Sequence, residues 1–194
     1  MTRPREGLST SFLDMAMTVA VILLTLVMIL NSEAAKSTDG IIKPKAEFLI
    51  ELTWTDGSPD DIDLYAKGPD GKIVFFGRRD TPLMFLDLDN TGRSNTVDMP
   101  DGSRKEIADR RETITIRATQ PGEYVVNGHM YRANGTAPNN VKLTVTKINP
   151  YRVVTVVEAV MDTERQEKTL VNFTVGPNGD VSSVFLVPTR MVGE

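Results

Sequence analysis

Two patterns of apolar and polar residues divide this chain. Near the N-terminus, Phe12 to Leu30 is a run of 19 residues with one ionisable side chain. A helix of that length rises about 28 Å, close to the hydrocarbon thickness of a bilayer. From Ala46 onward, short runs of alternating apolar and polar residues are separated by turn signals such as GPDG and GPNGD. The pattern predicts one N-terminal transmembrane helix followed by a β-rich domain.

The β-rich part contains about nine strand-like segments with short spacings, which is typical of an antiparallel sandwich. These segments are EFLIELTW, KGPDGKIVFF, LMFLDLD, ETITIRAT, GEYVVNGHMY, NVKLTVTKI, RVVTVVEAVM, KTLVNFTV and VSSVFLV. The predicted fold class is therefore mainly β, with one transmembrane helix and an antiparallel β-sandwich domain outside the cytoplasm. The predicted organisation is a cytoplasmic tail (1–11), a transmembrane helix (12–30), a linker (31–45) and the sandwich domain (46–194).

The apolar run has a second interpretation, a cleaved signal peptide. Such a peptide has an apolar core of about 7–15 residues and a small-residue cleavage site. The run here is longer, and NSEAAKS offers only a weak site after it, which favours a retained anchor. Arg3 and Arg5 precede the run, so the positive-inside rule places the N-terminus in the cytoplasm.

Asp14 is the ionisable residue of the apolar run. At about 100° per residue, Thr18 lies roughly 40° from Asp14 around the helix and Thr25 roughly 20° from it. The polar side chains therefore form a stripe on one face, which favours a protein partner on that side. Ionisable residues inside membrane helices commonly mark ion or proton paths. The alternative is that Asp14 caps the helix or reaches the membrane interface.

The segment SFLDMAMTVAVILLTLVMIL, preceded by a short polar tail, resembles the transmembrane segment of the ExbD/TolR family and, more distantly, of MotB. The resemblance implies a single-pass protein of the bacterial inner membrane, with its C-terminal domain in the periplasm. It implies that two copies of the helix sit inside a pentamer of a multi-span ExbB/TolQ/MotA-like partner. It also implies that Asp14 is the proton-carrying group of an ion-driven motor. The rest of the chain resembles neither a TolR domain nor the peptidoglycan-binding domain of MotB.

Four aspartates in the β-rich part form two alternating pairs: Asp61, Asp63, Asp87 and Asp89. Side chains two apart in a strand point to the same face. Carboxylates that converge at a sheet end repel one another unless a cation lies between them, and calcium accepts such oxygen ligands. The aspartates are therefore candidate calcium ligands, although acidic turn residues in water would show the same pattern.

The residues around these aspartates resemble small bacterial β-sandwich domains of the DUF2135 type. The shared order is a Trp, then Asp-x-Asp-Leu, Pro-Asp-Gly and Leu-Asp-x-Asp, over residues 52–92. The likeness ends after Asp89, where no clear glutamate follows to complete the cluster.

Composition limits the other classes of function. The formal net charge is −4, without the basic stripe typical of nucleic-acid binding, and there is no cysteine. The one histidine, His129, lies in a predicted strand, and a zinc site needs three or four ligands. No nucleophile elbow or phosphate loop is present, so an enzyme is not expected.

The dense mixed-charge segment DMPDGSRKEIADRRET, residues 98–113, is predicted to be a solvated excursion between strands, with a contact surface as the alternative.

Three hypotheses for function follow from the sequence. The first is a subunit of a proton-driven inner-membrane motor that transmits torque or force to an extracytoplasmic domain. The second is a membrane-tethered sandwich that recognises a glycan or a protein without ion transport. The third, a pilin-like subunit, is disfavoured because EGLSTSFLDMA lacks the Phe expected at a prepilin boundary.

Overall fold

The computed structural model describes residues 7–37, 46–92, 96–135 and 138–193, and within the N-terminal helix it describes the side chains of residues 12–28. The chain divides into two compact units, Met1–Lys43 and Pro44–Glu194.

The described residues of the first unit form one helix, α1 (Gly7–Ser37). It begins five residues before the predicted span and continues seven residues past Leu30, so the first part of the predicted linker is helical. Its apolar side chains are exposed, for example Met17 at 70% and Leu24 at 66%. A membrane crossing needs a long apolar helix, and the described residues contain none that meets both requirements.

The second unit is built from antiparallel strands. Within the described residues they are β1 (Phe48–Thr53), β2 (Asp61–Lys67), β3 (Ile73–Val74), β4 (Met84–Leu88), β5 (Thr96–Asp98), β6 (Arg104–Glu106), β7 (Arg111–Ile116), β8 (Gly122–Arg132), β9 (Asn139–Lys147), β10 (Arg152–Met161), β11 (Glu167–Val175) and β12 (Val181–Phe185). The first five-stranded sheet has the order β10-β9-β1-β7-β4, and the second has the order β12-β11-β8-β2-β3. The prediction of a mainly β fold with antiparallel sheets is confirmed.

One hydrophobic core lies between the two sheets. Alternate residues of β1, β7 and β9 are buried, because one face of each strand packs inward and the other meets solvent. Aromatic rings join the two sides of this core. Phe173 of β11 stacks on Tyr124 of β8, with ring centres 5.2 Å apart, and lies 6.1 Å from Phe48 of β1. The single tryptophan, Trp54, is also buried in this core, at 4% exposure.

The mixed-charge segment is only partly solvated. The hairpin β5–β6 is exposed throughout, as predicted for this segment. Arg110 and Glu112, in the same segment, are buried at 2% and 0% exposure, so there the prediction was wrong. Arg110 is held inside by main-chain carbonyls, since its Nε donates to Ser58 O at 2.6 Å and its Nη1 to Ile107 O at 2.8 Å.

After β12, the chain returns across the outer face of the second sheet as a C-terminal strap, residues 186–193. The N–H of Val187 donates to Asn172 Oδ1 at 2.9 Å, and the N–H of Met191 donates to Glu167 Oε1 at 2.7 Å. The Met191 side chain is buried in a second, smaller apolar cluster with Tyr65.

Candidate acidic cation site

The site begins at an open edge of the second sheet. β2 pairs with β8 over most of its length, but β3 covers only Ala66 and Lys67 on its other side. Glu112, on β7 of the first sheet, reaches across to this edge. Its Oε2 accepts the N–H of Leu64 at 2.7 Å, and its Oε1 accepts the N–H of Asn90 at 3.2 Å. Glu112 therefore accepts hydrogen bonds from two buried main-chain N–H groups that have no partner on a neighbouring strand.

Three carboxylates meet at this edge. Oxygen atoms of Asp63, Asp89 and Glu112 lie within 4.8 Å of one another. They come from three separated parts of the chain: β2, the residue after β4, and β7. Asp63 is 3% exposed and Glu112 is fully buried, so water does little to screen their mutual repulsion.

Asp61 lies beside this group. One of its carboxylate oxygens, Oδ1, is buried and accepts no hydrogen bond from the described residues. Burial, followed by the charges of Asp63 and Asp89, raises the pKa of Asp61 to about 6, against the opposing effects of Arg132 and His129.

The pKa values of Asp63 and Glu112 are raised as well. Burial raises the pKa of Asp63, although its hydrogen bond to His129 opposes the rise. Burial and then the charge of Asp63 raise the pKa of Glu112 well above its usual range, despite the two main-chain donors. The cluster is therefore short of positive charge when its members are ionised.

Two cationic or ionisable side chains contact the cluster. His129 Nδ1 lies 3.4 Å from Asp63 Oδ2, in surroundings that leave the histidine 3% exposed. Arg79 Nη1 lies 3.8 Å from Asp89 Oδ2, but the arginine side chain is about half exposed. Each contacts a single carboxylate from outside the group, His129 at Asp63 and Arg79 at Asp89, whereas a hard divalent cation would lie among all three with oxygen ligands.

Asp87 lies outside this group. A bulge in β4 between Leu86 and Leu88 breaks the alternation on which its predicted position depended. Its side chain is exposed, and its Oδ2 accepts a hydrogen bond from the hydroxyl of Thr115. Of the four predicted aspartates, the structure thus brings Asp63 and Asp89 together, places Asp61 beside them, and separates Asp87.

Loops next to the site are fixed by Asp60, which is 1% exposed. Its carboxylate accepts hydrogen bonds from the N–H of Gly135 at 2.5 Å and from the amide of Asn139. Gly92 packs against the same residue: its φ is +68°, and a Cβ there would lie 2.2 Å from Asp60 O. Because several loops meet at one buried carboxylate, the positions of Asp61 and its neighbours are well defined.

Sequence reasoning missed Glu112 for an identifiable reason. It lies within the mixed-charge segment, whose density of charge indicated solvent exposure. The signal that could have identified it is the alternation in RETITI, where Glu112, Ile114 and Ile116 share one face. A glutamate on the apolar face of a strand is a buried carboxylate that needs partners.

The two threonines of the predicted polar stripe form hydrogen bonds within α1. The Thr18 hydroxyl donates to Asp14 O at 2.7 Å, and the Thr25 hydroxyl donates to Val21 O and Ile22 O at 3.0 and 2.8 Å. Both hydroxyls are thus satisfied by their own helix. Asp14 lies about two turns inside α1, past the first turn where a capping residue acts. The capping interpretation of Asp14 is therefore not supported.

Comparisons with protein-family models, curated proteins and solved structures find nothing that matches this chain.

Proposed function

We propose that this chain is a single-span subunit of an ion-driven inner-membrane complex, with its N-terminus in the cytoplasm and its sandwich in the periplasm. The span is the sequence run Phe12–Leu30, of which the structure describes side chains as far as Met28. Asp14 is the proton-carrying residue. In this proposal two copies of the helix lie inside a pentamer of a multi-span ExbB/TolQ/MotA-like partner, and the sandwich transmits force to a target in the periplasm.

The proposal rests on the surroundings of the Asp14 side chain. It is an exposed carboxylate well inside a helix whose described side chains are otherwise apolar, apart from the two threonines. Within the described residues no hydrogen bond or ion pair to its side chain is found, whereas Thr18 and Thr25 are bonded to the helix itself. A charge on an apolar helix surface is costly in lipid, so a partner that receives it is expected.

Substitution of Asn for Asp14 tests the proposal, because Asn keeps the size and polarity of the side chain but cannot titrate. The complex should be purified in detergent, its stoichiometry measured by native mass spectrometry, and proton uptake measured after reconstitution into liposomes. We expect two copies of this chain with five of the partner, and proton flux that Asp14→Asn abolishes while the complex stays assembled. Thr18→Ala and Thr25→Ala are the matched controls and should retain most of the flux. Purification as a lone monomer, or full flux in Asp14→Asn, would refute the motor proposal.

A second candidate function is supported by a different observation, the unsatisfied oxygen of Asp61 beside three clustered carboxylates. In this proposal the chain is a membrane-tethered recognition domain for a glycan or a protein, and calcium bound by Asp61, Asp63, Asp89 and Glu112 organises the end of the sandwich. The carboxylates would supply oxygen ligands from four sites around one position, as calcium prefers.

Calcium binding is tested by the melting temperature of the full chain in an uncharged detergent. A cation that binds the native state alone stabilises it by about 2.7 kcal/mol at a hundredfold excess over its dissociation constant. Millimolar calcium should therefore raise the melting temperature over that in EDTA, and Asp63→Asn should remove the effect. Asp87→Asn, outside the cluster, should preserve it. Identical melting curves in calcium and EDTA would end the calcium proposal.

A further inference from the structure

A cavity of about 470 Å³ opens between the turn after β10 and the C-terminal strap, away from the features used above. Its lining includes two arginines, Arg165 and Arg190, together with Glu167 and the threonines Thr169 and Thr189.

Arg165 is fixed at its backbone, and its side chain, 70% exposed, extends beside an aromatic ring. Its backbone has φ +66°, the left-handed region that glycine adopts more readily, and its N–H donates to Met130 O at 2.7 Å. At the other end, its guanidinium carbon lies 5.6 Å from the centre of the Tyr131 ring, within the range of a cation–π contact. The nearest carboxylate, that of Glu164, is 4.0 Å away and exposed, so solvent screens that pair.

Glu167 also lines the cavity, but its carboxylate bonds to the sheet and the strap rather than to either arginine. Its Oε1 accepts hydrogen bonds from Asn127 Nδ2 at 2.7 Å, from Met191 N at 2.7 Å and from Val192 N at 3.2 Å. These three donors bind the strap to the sheet and fix the direction of the Glu167 carboxylate.

Arg190 is fixed through the strap. The N–H of Thr189 donates to Thr169 Oγ1 at 2.8 Å, and Met191 on the other side is 2% exposed. The backbone on both sides of Arg190 is thus docked, while its guanidinium makes no hydrogen bond or ion pair to any residue that the structure describes.

We propose that this cavity binds an anionic oxygen group, a carboxylate or a phosphate, between Arg165 and Arg190. Guanidinium groups present paired donors that match both anions, and here two of them line one cavity without a strong partner. The site depends on neither the motor nor the calcium proposal.

The test uses the full chain in an uncharged detergent and follows the arginine Nε–Hε signals by NMR. Sodium phosphate and sodium acetate are titrated separately, with ionic strength held constant by chloride. We expect saturable shifts at Arg165 and Arg190 with at least one anion, and the anion that saturates identifies the group bound. Arg165→Gln and Arg190→Gln should each weaken binding about tenfold, since each removes one charge-assisted contact.

Arg132→Gln is the matched control. The Arg132 guanidinium lies 5.5 Å from the centre of the same Tyr131 ring, but it does not line the cavity, so its loss should leave the affinity unchanged. Arg165→Gly, which suits the +66° backbone, gives a second variant that removes the charge without adding strain. Shifts that increase linearly with both anions, or an equal loss of affinity in Arg132→Gln, would overturn the proposal.

Discussion

Raising the pH should destabilise the cation-free sandwich, because ionising Asp61 costs more in the folded state than in the unfolded state. Its pKa rises from 3.8 to about 6 on folding. Between these values the folded state binds more protons than the unfolded state, so the free energy of unfolding falls as the pH rises. The contribution is fully present below about pH 4 and is lost by about pH 7.

The size of this effect follows from the shift. Without solvent screening, a pKa shift of this size corresponds to about 3 kcal/mol in the free energy of unfolding. Asp61 is partly accessible to solvent, which screens its charge, and we therefore expect it to contribute about 1–1.5 kcal/mol. The raised pKa values of Asp63 and Glu112 act in the same direction. Calcium should reverse the trend, since it binds only the ionised cluster.

The measurement is urea unfolding of the full chain in an uncharged detergent, followed by the fluorescence of Trp54, which reports on the sandwich core. Stability in EDTA should be lower at pH 7.5 than at pH 5, and Asp61→Asn should reduce that difference. Asp87→Asn, an exposed carboxylate outside the cluster, should leave it unchanged. Stability that rises from pH 5 to pH 7.5 in EDTA, or a difference unaffected by Asp61→Asn, would contradict the reasoning.

Two further predictions concern residues that hold the acidic site in place. Gly92→Ala should lower the free energy of unfolding by about 2 kcal/mol or more, because its Cβ would meet Asp60 O at 2.2 Å. Gly57→Ala, at a similar φ of +69° but with nothing within 4 Å, should cost about 1 kcal/mol, and equal costs in urea unfolding would refute the steric explanation. Glu112→Ala should cost about 1–3 kcal/mol for each of the two N–H groups left without an acceptor. The same substitution at exposed Glu164 should be nearly neutral, and a neutral Glu112→Ala would show that water replaces the carboxylate.

The sequence by itself determined that one helix is followed by antiparallel strands, because these classes of element are set by local periodicity. Alternation in FLIELT predicted a strand with one buried face, and the structure has that pattern in β1. The predicted helix likewise places Thr18 one turn after Asp14, and the Thr18 hydroxyl donates to the main-chain oxygen of Asp14.

Only the tertiary structure decided which side chains meet. Asp63 and Glu112 are far apart in the chain, and they approach because β2 and β7 lie in opposite sheets with an open edge between them. The bulge that separates Asp87 from Asp89 is an extra residue in a strand pair, which alternation along one strand does not reveal. Arg165 adopts its left-handed backbone because its N–H is held by Met130 of a neighbouring strand. In each case the deciding contact joins residues distant in sequence, and local periodicity carries no information about such pairs.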